Sequence, residues 1–189
     1  MKKTLSIIFL SLIIASNAMA YEETNYKVVK TNKIYEIRKY SDRLAIETAI
    51  SNQGNSFRKL FNYISGNNES NEEIKMTTPV TQIEKKGNMT MQFYLPLKFN
   101  KDNAPRPSNA DVKILNIKGG YYAVITYSGR ASDENFIKHK NILENELKNN
   151  NISILSPPIK ATYNNPFTLP LLRRNEAMFV INIKDKGEI

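Results

Sequence analysis

The sequence predicts an α+β fold, a distorted antiparallel β-barrel assembled from two repeated β-β-α-β-β halves with two flanking helices. Three observations predict it. Short stretches alternate apolar and polar residues with period two, two other stretches repeat apolar residues at helical spacing, and one proline-bearing linker, residues 100–109, splits the chain beyond its first twenty residues into near-equal halves.

In the first half, residues 34–40 and 44–50 alternate around Ser41 and Asp42, whose turn chemistry joins them as an expected antiparallel pair. Phe57, Leu60, Phe61 and Ile64 then fall at i, i+3, i+4 and i+7, the stripe of an amphipathic helix that starts after Asn55 and Ser56 and stops at Gly66. A polar loop, residues 67–73, leads into residues 74–81, where Pro79 implies an edge or irregular strand, and a stronger strand follows at 89–95. The second half repeats the order. Strands are expected at 112–117 and 121–127 around Gly119 and Gly120, a helix over about 133–148, an irregular strand near 154–163 and a final strand at 177–183. Two small sheets of this kind can pair and bury a core that neither half buries alone.

Ahead of these halves, Lys2 and Lys3 precede an apolar run over residues 5–14 that ends in Ala18, Met19 and Ala20. That is the layout of a signal peptide, residues 1–20, cleaved after Ala20, with residues 21–189 as a single domain. The run falls well short of the roughly 20 residues that cross a bilayer core, so no stable membrane insertion is expected after cleavage. The expected location is the periplasm or the exterior.

The chain contains no cysteine, which excludes disulfides, thiolate nucleophiles and a lipoprotein signal. Its formal charge is +9, and removal of Lys2 and Lys3 leaves +7. That charge suits solubility first and anionic small molecules second. Nucleic acid is not an expected partner, because the sequence holds neither a basic recognition helix nor an RNP-like aromatic motif. Nucleophile-elbow, zinc-helix, phosphate-loop and dinucleotide motifs are also missing.

Several segments together resemble the SOUL haem-binding family: YEIRKY at 35–40, FRKLFNYISGN at 57–67, IKMTTPV at 74–80, FYLP at 93–96, Pro105-Arg106-Pro107, and Arg173-Arg174-Asn175-Glu176 before the last strand. Their order and spacing extend over nearly the whole chain beyond residue 20. The resemblance implies the barrel of two repeats derived above, a distant similarity to the ligand-binding domains of drug-sensing regulators, and a small-molecule ligand, haem or another tetrapyrrole, as cofactor.

A haem site needs an apolar slot, cations or amide donors for the propionates, and optionally an iron ligand. The first helix offers Phe57, Leu60, Phe61 and Ile64 as the slot, with Arg58 and Lys59 beside it. Met76 or a tyrosine is the candidate axial ligand. His139, the sole histidine, shares the apolar stripe of the second helix and is expected to be a core or boundary residue. Arg173 and Arg174 are candidates to clamp carboxylates. Where better-known family members tend to carry a lysine before a proline, this chain has Leu169-Pro170, which favours a more hydrophobic ligand. The alternatives are a pocket for another amphipathic small molecule and a hydrolase that uses Glu176 with Tyr122 or Tyr127.

Overall fold

The computed structural model describes residues 21–51 and 54–183, so the expected signal peptide lies outside the described residues. The elements in chain order are β1 (Glu22–Glu23), β2 (Tyr26–Thr31), β3 (Glu36–Tyr40), β4 (Arg43–Ala49), α1 (Ser56–Ile64), β5 (Thr77–Thr78), β6 (Val80–Lys85) and β7 (Asn88–Tyr94), then β8 (Lys113–Ile117), β9 (Gly120–Tyr127), α2 (Asp133–Asn149), β10 (Ser153–Ile154), β11 (Ile159–Thr162) and β12 (Asn175–Asn182). Ten strands form one curled antiparallel sheet, a distorted half-barrel, in the order β2-β3-β9-β12-β11-β6-β7-β4-β8 with β10 on β12. β1 and β5 form a separate two-residue parallel ladder.

The expected duplication is present as a palindrome. β11 and β6 meet at the centre, each is followed outward by its own hairpin partner β12 or β7, and then by β9 or β4. One expectation is corrected. The strands on either side of Ser41 and Asp42 do not pair with each other: β3 pairs with β9, and β4 pairs with β8. The register runs unbroken through the bend, with Glu36 opposite Val124, Tyr40 opposite Gly120, Arg43 opposite Ile117 and Glu47 opposite Lys113. Thus β3–β4 and β8–β9 are two arms of one kinked ribbon, and each half lends its first strand to the other. Asp42 holds the kink by accepting from the Gly119 backbone N–H (2.9 Å), Asn116 (2.8 Å) and Lys118 (2.9 Å). These bonds hold its carboxyl well below the usual range, the Gly119 amide contributing most.

Alternation along the strands sorts the core into two faces. On one face, α2 buries Leu143 and Leu147 against Ile37, Ala123, Ile125, Ala177 and Phe179, and α1 buries Leu60, Tyr63 and Ile64 against Leu44, Ile46 and Phe93. The opposite face, inside the curl, packs Tyr40, Tyr122, Val124, Ile159, Ala161 and Met178. α2 is well terminated: Ser132 accepts from the Asn135 N–H, Asp133 and Glu134 occupy its first turn and Lys148 its last. The Tyr63 hydroxyl donates to the Pro105 carbonyl at 2.7 Å, which pins the inter-half linker to α1. Among the described residues no helix is long and apolar enough to cross a membrane.

Candidate functional site

A groove of about 290 Å³ runs beside α1. One wall is Phe57 and Phe61, one helical turn apart, with rings nearly parallel (14°) and centroids 6.1 Å apart. They are 47 % and 46 % exposed, although both are aromatic hydrocarbons on a helix that buries its neighbours. Phe57 is fixed edge-on against buried Phe93, at 5.1 Å and 65°. The floor carries Met76, Val80 and Met91 with Thr78 and Gln82 as its polar members, and Tyr21 and the segment 162–166 that leaves β11 complete the lining.

The expected stripe is therefore divided. Phe57, Phe61 and Met76 line the groove, whereas Leu60 and Ile64 point into the sheet and are buried, so the slot is narrower than four apolar residues would make it. The reason is geometric. A helix lying on a sheet buries the middle of its apolar stripe, and residues at the edge of that stripe remain at the boundary. Arg58 is exposed and makes no ion pair with another described residue, while Lys59 bonds Asp111 at 2.7 Å.

Arg173 and Arg174, expected to clamp a ligand, are committed within the protein. Arg173 donates to the carbonyls of Thr168 (2.7 Å) and Pro166 (2.5 Å), which orders the segment returning to β12. That segment carries strongly exposed apolar residues, Phe167 (93 %), Leu169, Leu171 and Leu172, next to the groove wall. Arg174 grips Glu176 through Nε (3.0 Å) and a terminal nitrogen (2.8 Å), bonds Glu23, and lies 3.8 Å over the Tyr163 ring.

Glu176 is the fully buried centre of a polar cluster inside the curl. Arg38 reaches it at 3.0 Å, the Tyr163 hydroxyl donates to it at 2.7 Å and Thr126 at 3.3 Å. Burial alone would lower the Arg38 pKa, but Glu176 beside it raises it above the ordinary value. Burial, then the Glu176 charge, raises that of Tyr163. Neither tyrosine expected to work with Glu176 hydrogen-bonds it. Tyr122 donates to the Lys118 carbonyl at 3.2 Å, and Tyr127 stacks on His139 at 4.0 Å with 3° between the rings. His139 Nδ1 also bonds the Asn135 carbonyl at 2.8 Å, which makes it a boundary residue of α2, remote from α1 in the sheet order.

The sequence reading missed Tyr21, Met91 and the wall at 162–166. Met91 sits on a strand where Thr90 and Gln92 face the other way, and this alternation was the available signal. Nothing local tells that the segment leaving β11 lines the same groove as α1. Among the described residues there is no cluster of three or more His, Asp or Glu able to hold a metal ion.

A family model described as SOUL heme-binding protein matches residues 21–180. Heme-binding protein 2 of Mus musculus is 31 % identical over 164 residues, covering 78 % of this chain and 77 % of that protein. Its Homo sapiens namesake is 29 % identical with the same coverage. Among solved structures, the EcmrR C-terminal domain superposes with a TM-score of 0.58 at 11 % identity, over 83 % of this chain and 98 % of that one. A hydrolase from Listeria innocua gives 0.60 at 6 %, over 82 % and 94 %. At such identities the structural matches speak to the fold alone.

Proposed function

The chain belongs to the SOUL heme-binding protein family, and on that premise we propose that it is an exported protein that binds haem or a related tetrapyrrole in the groove beside α1. The carrying observation is the exposed parallel pair Phe57 and Phe61 over a floor that carries Met76, Val80 and Met91. Phe57, held by Phe93, and Phe61 parallel to it offer aromatic surface to a macrocycle at little conformational cost. The residues present suit such a group: Met76 and Met91 supply thioethers and Tyr21 a phenol within the groove, while exposed Arg58 supplies a cation for carboxylates on the α1 side. Haem would bring its iron and its flat apolar surface, and the protein contributes shape and exclusion of water from one face.

Haemin titration of the protein that begins at Tyr21, followed at the Soret band, tests this reading. Phe61→Asp is expected to weaken binding at least about tenfold, or 1.4 kcal/mol, without altering far-ultraviolet circular dichroism, because the ring is half exposed. A Soret band identical to that of haemin with an inert protein overturns the reading. N-terminal sequencing of protein recovered from the periplasm or medium is expected to start at Tyr21.

A second reading is a different amphipathic small molecule. It is favoured by the engagement of Arg173 and Arg174 elsewhere and by exposed Leu169 in the segment that follows the 162–166 wall. Native mass spectrometry of protein from its own host separates the two by the mass that co-purifies.

A further inference from the structure

The β1/β5 ladder also borders a smaller cavity of about 110 Å³. Tyr21 and Thr78 contribute to the groove, whereas Glu22, Glu23, Thr24 and Thr77 contribute to the cavity. Arg43, the first residue of β4, forms part of its wall. Arg43 is 8 % exposed, and its Nε–H has no hydrogen-bond partner among the described residues. Its guanidinium is framed by aromatic rings, 4.4 Å from the centroid of Tyr40, 4.5 Å from Tyr94 and 5.5 Å from Tyr122.

A buried guanidinium without a carboxylate is costly unless something else answers its charge. The other arginines inside the curl meet that requirement, Arg38 through Glu36 and Glu176, Arg174 through Glu23 and Glu176. Arg43 makes no ion pair with a described residue, and the acids that share its cavity are engaged elsewhere. Asp42 is held by Gly119, Asn116 and Lys118, Glu23 by Arg174, and Glu22 accepts from the Leu97 N–H at 2.8 Å. The tyrosine faces attract the cation but give no acceptor to its Nε–H, which is itself closed to solvent, so the cavity meets the guanidinium at its other atoms.

The remaining wall is apolar, made by Leu44, Leu95, Pro96, Leu97 and Phe99. We propose that this cavity is a second ligand site, for a monocarboxylate of two or three carbons, with Arg43 as the residue that binds the carboxylate. The planar guanidinium matches a carboxylate in shape and donor direction. A cavity of roughly 150 Å³ accepts a benzene ring, so the smaller volume here takes about four or five heavy atoms, the size of acetate or propionate. Three carboxylates among the residues that line the cavity, Glu22, Glu23 and Asp42, favour one negative charge on the ligand over two, which sets phosphate aside. The hydrocarbon end of the ligand packs on Leu95, Leu97 and Phe99. This site needs no haem and stands whether or not the groove binds one.

The test is a titration of nitrogen-15-labelled protein with sodium acetate and sodium propionate at constant ionic strength, read at the Arg43 Nε–H resonance, which is assigned by its loss in Arg43→Lys. The expected result is a saturable shift with both acids, no shift with chloride, and binding of benzoate and phosphate at least about tenfold weaker. Arg43→Gln should raise the propionate dissociation constant about tenfold or more. A resonance that stays fixed, or that drifts linearly with every sodium salt, means that the cavity holds water only and overturns the proposal. Benzoate binding as tightly as propionate overturns it too. The wild-type titration decides the matter even if Arg43→Gln does not fold.

Discussion

At the scale of single residues, Glu176 shows how a side chain that looks like chemistry can be architecture. Its carboxylate is fully buried among two guanidiniums and a phenol. Removing one member of such a set leaves the others charged and desolvated, so Glu176→Gln is expected to cost about 3–5 kcal/mol in urea unfolding. The charged run at 173–176 was visible in the sequence, but its main buried partner, Arg38, lies 138 positions away, and no local pattern announces that meeting. Leu60 and Phe61 make a similar contrast on α1. They are adjacent in the helical stripe, yet Leu60→Ala opens a core and Phe61→Asp alters a surface. Burial also acts on Tyr40, whose hydroxyl is pushed up to about 12 mainly by desolvation. The native state therefore holds this proton more tightly than the unfolded chain, which ionises near pH 10. The stabilising contribution is complete below about pH 10 and is lost as pH rises towards 12. The urea midpoint should fall across that window, and less steeply in Tyr40→Phe.

The two helices were legible at the scale of elements because the signals that define them are local. Apolar spacing marked α1 within Ser56–Ile64, and α2 begins at Asp133 as expected. Strand existence was also legible, whereas strand partnership was not. Ser41 and Asp42 carry turn chemistry, and a hairpin is the usual outcome of such chemistry. Here Asp42 spends its acceptors on the opposite arm, so the chain bends and continues instead of folding back. Gly119 is the other half of that bend: a Cβ there would stand 2.5 Å from the Tyr40 carbonyl oxygen, which is backbone and cannot step aside cheaply. Gly119→Ala is expected to destabilise the protein by about 1–3 kcal/mol, at the upper end of that range, measured by the urea midpoint. A variant as stable as the wild type would show that the arms need not approach so closely. The groove has the same history as the ribbon. Its α1 wall was readable from FRKLF, whereas its lining at 162–166 depends on where β11 is laid down by pairing with β6, a contact between the two halves.

At the scale of the whole molecule, the duplication read from the order of elements is real, but its halves are interleaved. β4 of the first half is flanked by β7 of its own half and β8 of the other, and β6 pairs with β11 across the centre. A fragment of residues 21–109 therefore lacks partners on both sides of its sheet. It is expected to give a collapsed amide proton spectrum alone and a dispersed one after addition of residues 110–189; cooperative unfolding by the single fragment would refute the interleaving. The sequence disclosed the repeat because each half carries its own periodicities, and it concealed the exchange because register between halves is a property of neither. One more consequence belongs to the linker at 100–109, anchored through Pro105 to Tyr63. Cut there, the union of the halves becomes a bimolecular equilibrium that dilution can undo. Intact, a short connection of this kind keeps one half at an effective concentration of about millimolar around the other, so the joining of the halves is insensitive to how scarce the protein is in its surroundings.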